Sequence, residues 1–541
     1  MKRHLALLLP ALLMAAGLPR SQSNTDLGIA LRLANIDDLR ALGRTGVFPD
    51  GINGCAFETT ACNVGSNEIS WQQAMDPDHP FIAFLLAREA NGRFEQISDR
   101  SYVKHGFFAL SSTFCSACIG TDGTRLGLGC SDTYAVSNNG DNFWLGPPDE
   151  IDPWLGLWDP VCSHFDRGEP AVAPPNDCNG ARSLTSSQAN ALGSVGHRIR
   201  VRDADFNVPG AFWFQGMYVI ETEGDRVRED NLASRAFIPS WTGSSWNLVE
   251  SGVQLFGSVL QRWAGASVKS STNGTDDGRL FVAVKVGGQN PADGTYHYEY
   301  AVHNRDNRRG VGALRIPLCA SARVKNLGFG DIDQDAGNDW SASVVGNEIV
   351  FSGPSNPLAW NTIYNFWFDS DAAPVLDTVE LDQASAGPGA AFVAVASSAP
   401  LALYNVYLGP GCDFDPVPPT LFANGRATLG NTAFALYSGG NTPFKRSYLR
   451  YSITPGSYVL GGCTRYLGPG PAFSFAAANN LADATGLCGF SAPIPSDIGY
   501  EGLNVSMQTL SRDPSGGPVR GYFDLSDGLL VRIGNAVPDC P

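Results

Sequence analysis

The hydrophobic residues of this chain fall mostly in short runs that alternate with polar positions. Residues 196–203 place Ile199 and Val201 on one face of an extended segment and arginines on the other. Residues 295–303 alternate in the same way, residues 280–286 form an apolar, β-rich run, and residues 347–351 and 361–369 are further strand candidates. Clusters of Gly, Asn, Asp and Pro separate the runs, as they do in sandwiches and barrels. The pattern therefore predicts an all-β, multi-domain protein with antiparallel sandwich or jelly-roll-like domains and a loop-rich, disulfide-braced N-terminal part.

Three local patterns predict individual elements. Residues 27–42 are the best helix candidate, and residues 187–192 suit a short turn of helix. The apolar runs 212–214 and 217–221 flank Gln215 and Gly216, and this arrangement predicts a tight hairpin.

The N-terminus has the parts of a secretory signal peptide. A basic start is followed by an apolar run over residues 5–18 and by small residues. The run is shorter than the about 20 residues that cross a bilayer, and no later segment suggests a transmembrane span. We therefore expect a secreted or cell-surface protein.

Composition suggests where the domains divide. The segment 383–390 is small, uncharged and contains Gly and Pro, which indicates a linker. The predicted division is a signal peptide (1–23), a loop-rich cysteine-containing region (24–180), a β-sandwich domain (181–383), a linker (384–407) and a C-terminal β module (408–541).

The chain has 12 cysteines. An even number in an exported protein predicts a disulfide framework with no free thiol. The alternative is a zinc site made by Cys115, Cys118 and Cys130, since thiolates are good zinc ligands.

The net charge of −16, without a Lys- or Arg-rich run, disfavours two classes of partner. Nucleic acids and anionic membranes both require clustered positive charge. An extracellular polymer or the cell surface is the partner class that we expect.

The C-terminal part carries a resemblance. It contains Gly-Pro-Gly-Cys ending at Cys412, Gly-Gly-Cys-Thr around Cys463, and the apolar run 528–534. These phrases resemble a C-terminal β module of exported proteins of planctomycete-like bacteria, and the larger part of the chain resembles uncharacterised exported bacterial proteins. The resemblance implies a Cys412–Cys463 disulfide, an extra Cys488–Cys540 pair, and an accessory or surface-retention role for the module. It implies no known activity.

Histidine and carboxylate positions suggest a metal centre. His79 and His105 lie in the loop-rich part, and His297 and Glu299 share one face of a predicted strand. Imidazole suits copper and zinc, so we consider a copper site from these residues. The alternative is that each histidine is an ordinary hydrogen-bonded or surface residue.

A second candidate site is acidic. Asp331, Asp333 and Asp335 occupy alternate positions of one loop, as carboxylates that bind Ca²⁺ do. The residue at the twelfth position is Ala342 rather than Glu, so an EF-hand is not expected. The alternative is a solvated acidic turn.

Three tryptophans lie in Gly-, Pro- and Asp-rich loop sequence: Trp144, Trp154 and Trp158. Such rings can form stacking platforms for sugars or polymers. The alternative is that they pack against a small core.

The function predicted from these features is extracellular binding or surface attachment. The runner-up is a secreted metal-dependent enzyme, with copper as a candidate ion, that acts on an extracellular polymer. A Gly-x-Ser-x-Gly elbow, a P-loop and a His-Glu-x-x-His motif are absent from the sequence. Loops braced by disulfides often carry working side chains, so we expect function in the part before Pro174.

Overall fold

The computed structural model describes most of the chain. The described residues are 28–106, 108–225, 227–273, 278–290, 292–414, 418–468, 471–474 and 480–534. The predicted signal peptide, residues 1–23, lies outside them. Among the described residues, no helix is both long and apolar enough to cross a membrane.

Strands make up most of the regular structure, which confirms the all-β prediction. The first half of the chain contains β1 (Leu31–Thr45), β2 (Ile52–Asn63), β3 (Ile69–Ser70), β4 (Phe81–Ala90), β5 (Arg93–Gln96), β6 (Val103–His105), β7 (Arg125–Leu126), β8 (Ser131–Tyr134), β9 (Leu145–Gly146), β10 (Ile199–Arg202), β11 (Ala211–Val219), β12 (Leu232–Trp241) and β13 (Trp246–Phe256). The middle contains β14 (Ser267–Thr272), β15 (Arg279–Val286), β16 (Tyr296–Asn304), β17 (Val311–Pro317), β18 (Val324–Gly330), β19 (Ser341–Val345), β20 (Glu348–Ser352), β21 (Thr362–Ser370), β22 (Ala373–Gln383) and β23 (Phe392–Ala402).

The last part of the chain contains β24 (Asn405–Gly409), β25 (Thr420–Ala423), β26 (Ala435–Gly439), β27 (Ser447–Ser452), β28 (Tyr458–Leu460), β29 (Cys463–Arg465), β30 (Phe473–Ser474), β31 (Cys488–Ser491), β32 (Asn504–Arg512), β33 (Phe523–Leu525) and β34 (Gly528–Arg532). Short α-helices lie in the connections: α1 (Val136–Asn139), α2 (His164–Arg167), α3 (Ser186–Ala191) and α4 (Asp203–Phe206). Helix α3 confirms the predicted turn of helix.

Two antiparallel sheets enclose the first core. One has the order β1-β2-β10, with β8 on β2; the other runs β13-β12-β11-β4-β6-β9, with β5 on β4. Phe57, Phe84 and Phe214 from both sheets pack edge to face and are nearly fully buried. Burial of a side chain of this size contributes about 1.5–3 kcal/mol. Strands from both sides of residue 180 share these sheets, and the domain limit near that residue stays a prediction.

The helix predicted over residues 27–42 is wrong, because residues 31–45 form strand β1. The pairing of β1 with β2 shifts register between Leu33 and Asn35 and again between Asp37 and Arg40. These irregularities change which residues face the core. The buried side chains Leu31, Leu33, Ile36 and Leu39 therefore follow a spacing that resembles a helix.

The hairpin predicted at Gln215 and Gly216 is also wrong. Both residues lie inside β11, which pairs with β4 on one side and β12 on the other. Gly216 allows close packing there, since an added Cβ would lie 3.1 Å from the Phe57 ring. The glycine marks a close approach of two sheets rather than a turn.

A second sandwich follows, with its core between the sheets β14-β15-β16-β21-β18 and β19-β20-β17-β22-β23. The strands predicted near residues 280–286, 295–303, 347–351 and 361–369 are confirmed as β15, β16, β20 and β21. Tyr298 and Tyr300 are fully buried, and their hydroxyls donate hydrogen bonds to the carbonyls of Ala372 and Ser398. Buried tyrosines therefore have polar partners, as the low dielectric of a core requires.

The range predicted as a linker, 384–407, contains paired backbone. Strand β23 pairs with β22 along most of its length, and β24 pairs with β34. Within this range, exposed turn sequence is concentrated at residues 385–388. The domain limits themselves stay predictions.

The C-terminal module has its own core. Its larger sheet runs β24-β34-β32-β27-β30, with β33 on β32, and a smaller sheet runs β25-β26-β31. Leu436, Leu449 and Val531 lie in the core between them. The origin predicted for this module by resemblance stays a prediction.

Disulfides brace the loop-rich part and the module. The described pairs are Cys62–Cys115, Cys118–Cys130, Cys162–Cys178 and Cys412–Cys463, and Cys319 is also disulfide-bonded. The Cys412–Cys463 pair is confirmed. The alternative of a zinc site at Cys115, Cys118 and Cys130 is wrong, because all three sulfurs are in disulfides.

Among the described residues two cysteines are free, so the expectation of no free thiol is wrong. Cys55 lies in the middle of β2 with its side chain in the first core, and Cys488 lies on β31 in the core of the module. Because Cys488 is free, the predicted Cys488–Cys540 pair is wrong as well; Cys540 itself lies outside the described residues. Both side chains are buried as small apolar groups.

Candidate functional site

The metal ligands predicted from the sequence meet in two pairs on different sandwiches. His79 Nε2 lies 2.7 Å from His105 Nδ1 in the first sandwich. His297 Nε2 lies 3.1 Å from Glu299 Oε2 on β16. Among the described residues, neither pair belongs to a group of three His, Cys, Asp or Glu side chains whose ligand atoms converge within 4.8 Å.

The His79–His105 pair is a buried hydrogen-bond chain. The Asp76 carbonyl accepts from His79 Nδ1, so His79 Nε2 is unprotonated and accepts from His105 Nδ1. His105 Nε2 then carries a buried lone pair with no hydrogen-bond partner among the described residues. Burial lowers the pKa of His79 to about 4 and that of His105 well below its usual value, so both rings are neutral at pH 7.

His297 is engaged by carboxylates. Its Nδ1 lies 2.7 Å from Asp369 and its Nε2 contacts Glu299, which also accepts a hydrogen bond from Arg93. The hydrogen bond to Glu299 is the main reason that the pKa of His297 is raised, with Asp369 adding to it. The pair therefore resembles a surface ion-pair network, and its metal role stays a prediction.

The acidic loop forms a series of local turns. Asp331 Oδ1 accepts from the Asp333 amide, and Asp333 Oδ1 accepts from the Asp335 amide at 2.7 Å. Asp335 Oδ1 accepts from the amide of Gly337 in the same way. Each carboxylate thus caps the backbone two residues ahead, and calcium binding by the three together stays a prediction.

The predicted tryptophan platforms are packed against the protein. Trp158 is 5% exposed and donates a hydrogen bond to Glu150. The Arg182 guanidinium covers Trp144 at 4.0 Å, and that of Arg228 covers Trp154 at 4.5 Å. Cation–π contacts of this kind stabilise the loops; stacking on a ligand stays a prediction.

The structure brings together a different metal-competent group: His164, Glu169 and His197. Each side chain offers one ligand atom, and these atoms lie within 4.8 Å of one another. Glu169 Oε2 is 3.8 Å from His164 Nδ1 and 3.7 Å from His197 Nε2. We call this group the histidine–glutamate centre. This centre was not predicted from the sequence, because Glu169 reaches the histidines only through the folded loop.

Local structure holds the two histidines in place. Ser163 caps the N-terminus of helix α2, and the His164 amide donates to Glu150 Oε1 at 2.7 Å. The His197 ring stacks on Tyr102 with centroids 3.7 Å apart and planes 5° from parallel. The His164 backbone and the His197 ring are thus restrained by neighbouring residues and not by contacts among the three ligands.

The electrostatics leave both imidazoles neutral. Burial lowers the pKa of His164 to about 4, with repulsion from His197 and Arg182 adding to the effect. Burial and Arg200 likewise lower the pKa of His197 to about 4. Neutral rings form no ion pair with Glu169, and separations of 3.7–3.8 Å are too long for hydrogen bonds.

The chemistry of this donor set fits a transition-metal ion. Ligand atoms that lie about 2.0–2.1 Å from a tetrahedral zinc ion are about 3.4 Å from one another. The distances from Glu169 Oε2 to the two histidine nitrogens, 3.8 and 3.7 Å, are slightly longer. His197 Nε2, the atom that faces Glu169, is buried and has no hydrogen-bond partner among the described residues. Two imidazoles and one carboxylate are ligands that zinc and copper accept.

The first-sandwich histidines lie close to this centre. Phe165 contacts His105 with ring centroids 4.6 Å apart and His164 with centroids 5.5 Å apart. Phe165 therefore lies between His105 of the first histidine pair and His164 of the centre, all three in the part before Pro174. Beside them, burial lowers the pKa of Lys104 to about 7.

A second convergent group is all acidic. Asp413, Asp513 and Asp524 lie within ligand distance of one another in the C-terminal module, next to the Cys412–Cys463 disulfide. Oxygen-only groups suit hard cations. Acidic clusters are common without an ion, so the geometry alone assigns no role.

Comparisons with known proteins add little. No family model and no curated protein matches the chain. Among solved structures, the major pilin subunit BcpA of Bacillus cereus is 8% identical over 61% of this chain and 84% of that chain, with a TM-score of 0.18. The T6 backbone pilin of Streptococcus pyogenes is 9% identical over 85% and 79%, with a TM-score of 0.18.

The collagen-binding domain of the Erysipelothrix rhusiopathiae surface protein RspB is 9% identical over 68% of this chain and 93% of that domain, with a TM-score of 0.13. Superpositions this poor support no statement about the function of this chain.

Proposed function

We propose that the protein works outside the cytoplasm as a binding protein and that it binds a divalent transition-metal ion at the histidine–glutamate centre. The observation that carries this proposal is the convergence of His164, Glu169 and His197 within 4.8 Å, without hydrogen bonds between them. Neutral imidazoles are the form that binds metals. The disulfides support an oxidising, extracytoplasmic location.

The second candidate is the metal-dependent enzyme acting on an extracellular polymer. Three protein ligands leave a coordination position for water or substrate, as in catalytic zinc sites. The Glu169 side chain is 35% exposed, so that side of the centre is open to solvent. We place binding first because the two histidine side chains are mostly buried, at 7% and 17% exposed.

Zinc titration of the purified full chain tests the proposal. We expect one zinc ion per chain at the centre and at least about tenfold weaker binding in His197→Ala, because a ligand is lost. His297→Ala is the matched control, since this histidine is held between carboxylates on another sandwich. Equal zinc affinity in wild type, His164→Ala and His197→Ala would contradict the proposal.

Metal-loaded protein also separates the two candidates. Cleavage of a polysaccharide or protein polymer that stops on chelation and returns with zinc or copper would favour the enzyme. Retention of the polymer without cleavage would favour binding.

A further inference from the structure

The loop that carries two of the three ligands is closed covalently. Cys162 and Cys178 form a disulfide with a sequence separation of 16, and His164 and Glu169 lie between them. His197 comes from outside this loop, just before β10. The relative position of the ligands therefore depends on how the loop is held against the sandwich.

Asp166 ties both ends of that loop together. Its side chain is fully buried, and Oδ2 accepts hydrogen bonds from the amides of Cys162 and Gly180, each at 2.9 Å. Charge-assisted hydrogen bonds to a buried carboxylate are strong and directional. The carboxylate thus fixes the chain on either side of the disulfide.

The neighbouring residue anchors the same loop to the body of the domain. The Phe165 carbonyl accepts from the amides of Ser183 and Leu184 at 2.8 and 2.9 Å. The Phe165 ring is fully buried in the core that also contains Trp158. Helix α2 therefore holds His164 in place. Glu169 lies beyond the helix, after Gly168, and its position depends on the closure of the loop.

We infer that the Cys162–Cys178 disulfide and Asp166 position His164 and Glu169, so that opening the disulfide weakens metal binding at the histidine–glutamate centre. This inference rests on the proposed function. An opened loop retains the ligands but must lose conformational freedom each time it binds the ion. By linkage, the bound ion must in turn protect the disulfide from reduction.

Zinc affinity of Cys162→Ser/Cys178→Ser tests the inference. We expect about 10- to 100-fold weaker binding, the range found when groups that orient metal ligands are removed. Cys412→Ser/Cys463→Ser removes a disulfide from the C-terminal module and should bind zinc as the wild type does. Equal affinity in wild type and in the Cys162/Cys178 variant overturns the inference.

Asp166 variants separate positioning from general damage. Asp166→Ala should weaken zinc binding, whereas Asp166→Asn retains an oxygen that can accept from both amides and should restore most of the affinity. Equal affinity in all three proteins overturns the role of Asp166.

Reduction of the wild-type disulfide gives a test that needs no cysteine variant. Zinc should raise the fraction of Cys162–Cys178 that stays oxidised at equilibrium in a glutathione redox buffer, measured by thiol labelling and peptide mass, and His197→Ala should lose this protection. If the wild type binds no zinc, the proposed function fails. If it binds zinc through His197 but zinc leaves the reduction equilibrium of Cys162–Cys178 unchanged, only the inference fails.

Discussion

His79 is the residue at which mild acid should destabilise the first sandwich. Its ring is 2% exposed and packs against Phe81, His105 and Trp158. Burial lowers its pKa from 6.5 to about 4. The unfolded chain therefore takes up a proton at higher pH than the folded chain does, and stability falls as the pH drops below 6.5.

The size of the effect follows from the two pKa values. A shift from 6.5 to about 4 corresponds to about 3 kcal/mol in the limit of low pH. At pH 4.5 most of this destabilisation is already present. The linkage relation gives a loss of about 2.5 kcal/mol in the free energy of unfolding relative to pH 7. Such a loss is a large fraction of the stability of one domain.

Urea unfolding of wild type and His79→Gln at pH 7 and pH 4.5 measures the effect. Because the chain has several cores, unfolding should be followed by hydrogen exchange of peptides from β4 rather than by one global signal. We expect the acid-induced loss to be about 2 kcal/mol smaller in His79→Gln. His297→Gln is the control: the pKa of His297 is raised, so its contribution is present in acid and decreases as the pH rises. An equal acid-induced loss in wild type and His79→Gln would refute the reasoning.

Three further outcomes are expected. The Cys55 and Cys488 thiols, whose pKa values burial raises to about 12 and about 11, should react with a maleimide only after denaturation; labelling of either in native protein would show that it is accessible. Limited proteolysis should cut within residues 384–391. Because β22 and β23 pair on either side of the cut, the two fragments should stay associated until they are denatured. Cleavage inside β23 would contradict this expectation. Gly146→Ala should destabilise the first sandwich by about 1–3 kcal/mol, since an added Cβ would lie 2.6 Å from His105 Nε2; an unchanged melting temperature would show that the ring can move.

Sequence patterns predicted strands well where pairing is regular. The apolar run 280–286 and the alternating run 295–303 correspond to β15 and β16, which pair without a register shift. The pattern misled where pairing is irregular: bulges in β1 give its buried residues a helix-like spacing. Gly216 misled for a different reason, since a glycine inside a strand can serve sheet packing instead of a turn.

The candidate site was only partly predictable. Histidines before Pro174 drew attention to the right region, and His79 does meet His105. The convergence of Glu169 with His164 and His197 depends on loop closure and on the packing of His197 against Tyr102, which no sequence spacing encodes. One usable signal was present: a histidine and a glutamate lie between Cys162 and Cys178.

X-ray absorption of the zinc-loaded full chain tests the central claim most directly, because it reports the ligands themselves. The histidine–glutamate centre predicts two imidazole nitrogens and at least one oxygen at about 2.0–2.2 Å, with no sulfur at about 2.3 Å. In His197→Ala one imidazole should be lost. A wild-type spectrum with only oxygen ligands, or one that His197→Ala leaves unchanged, would contradict the assignment of the centre.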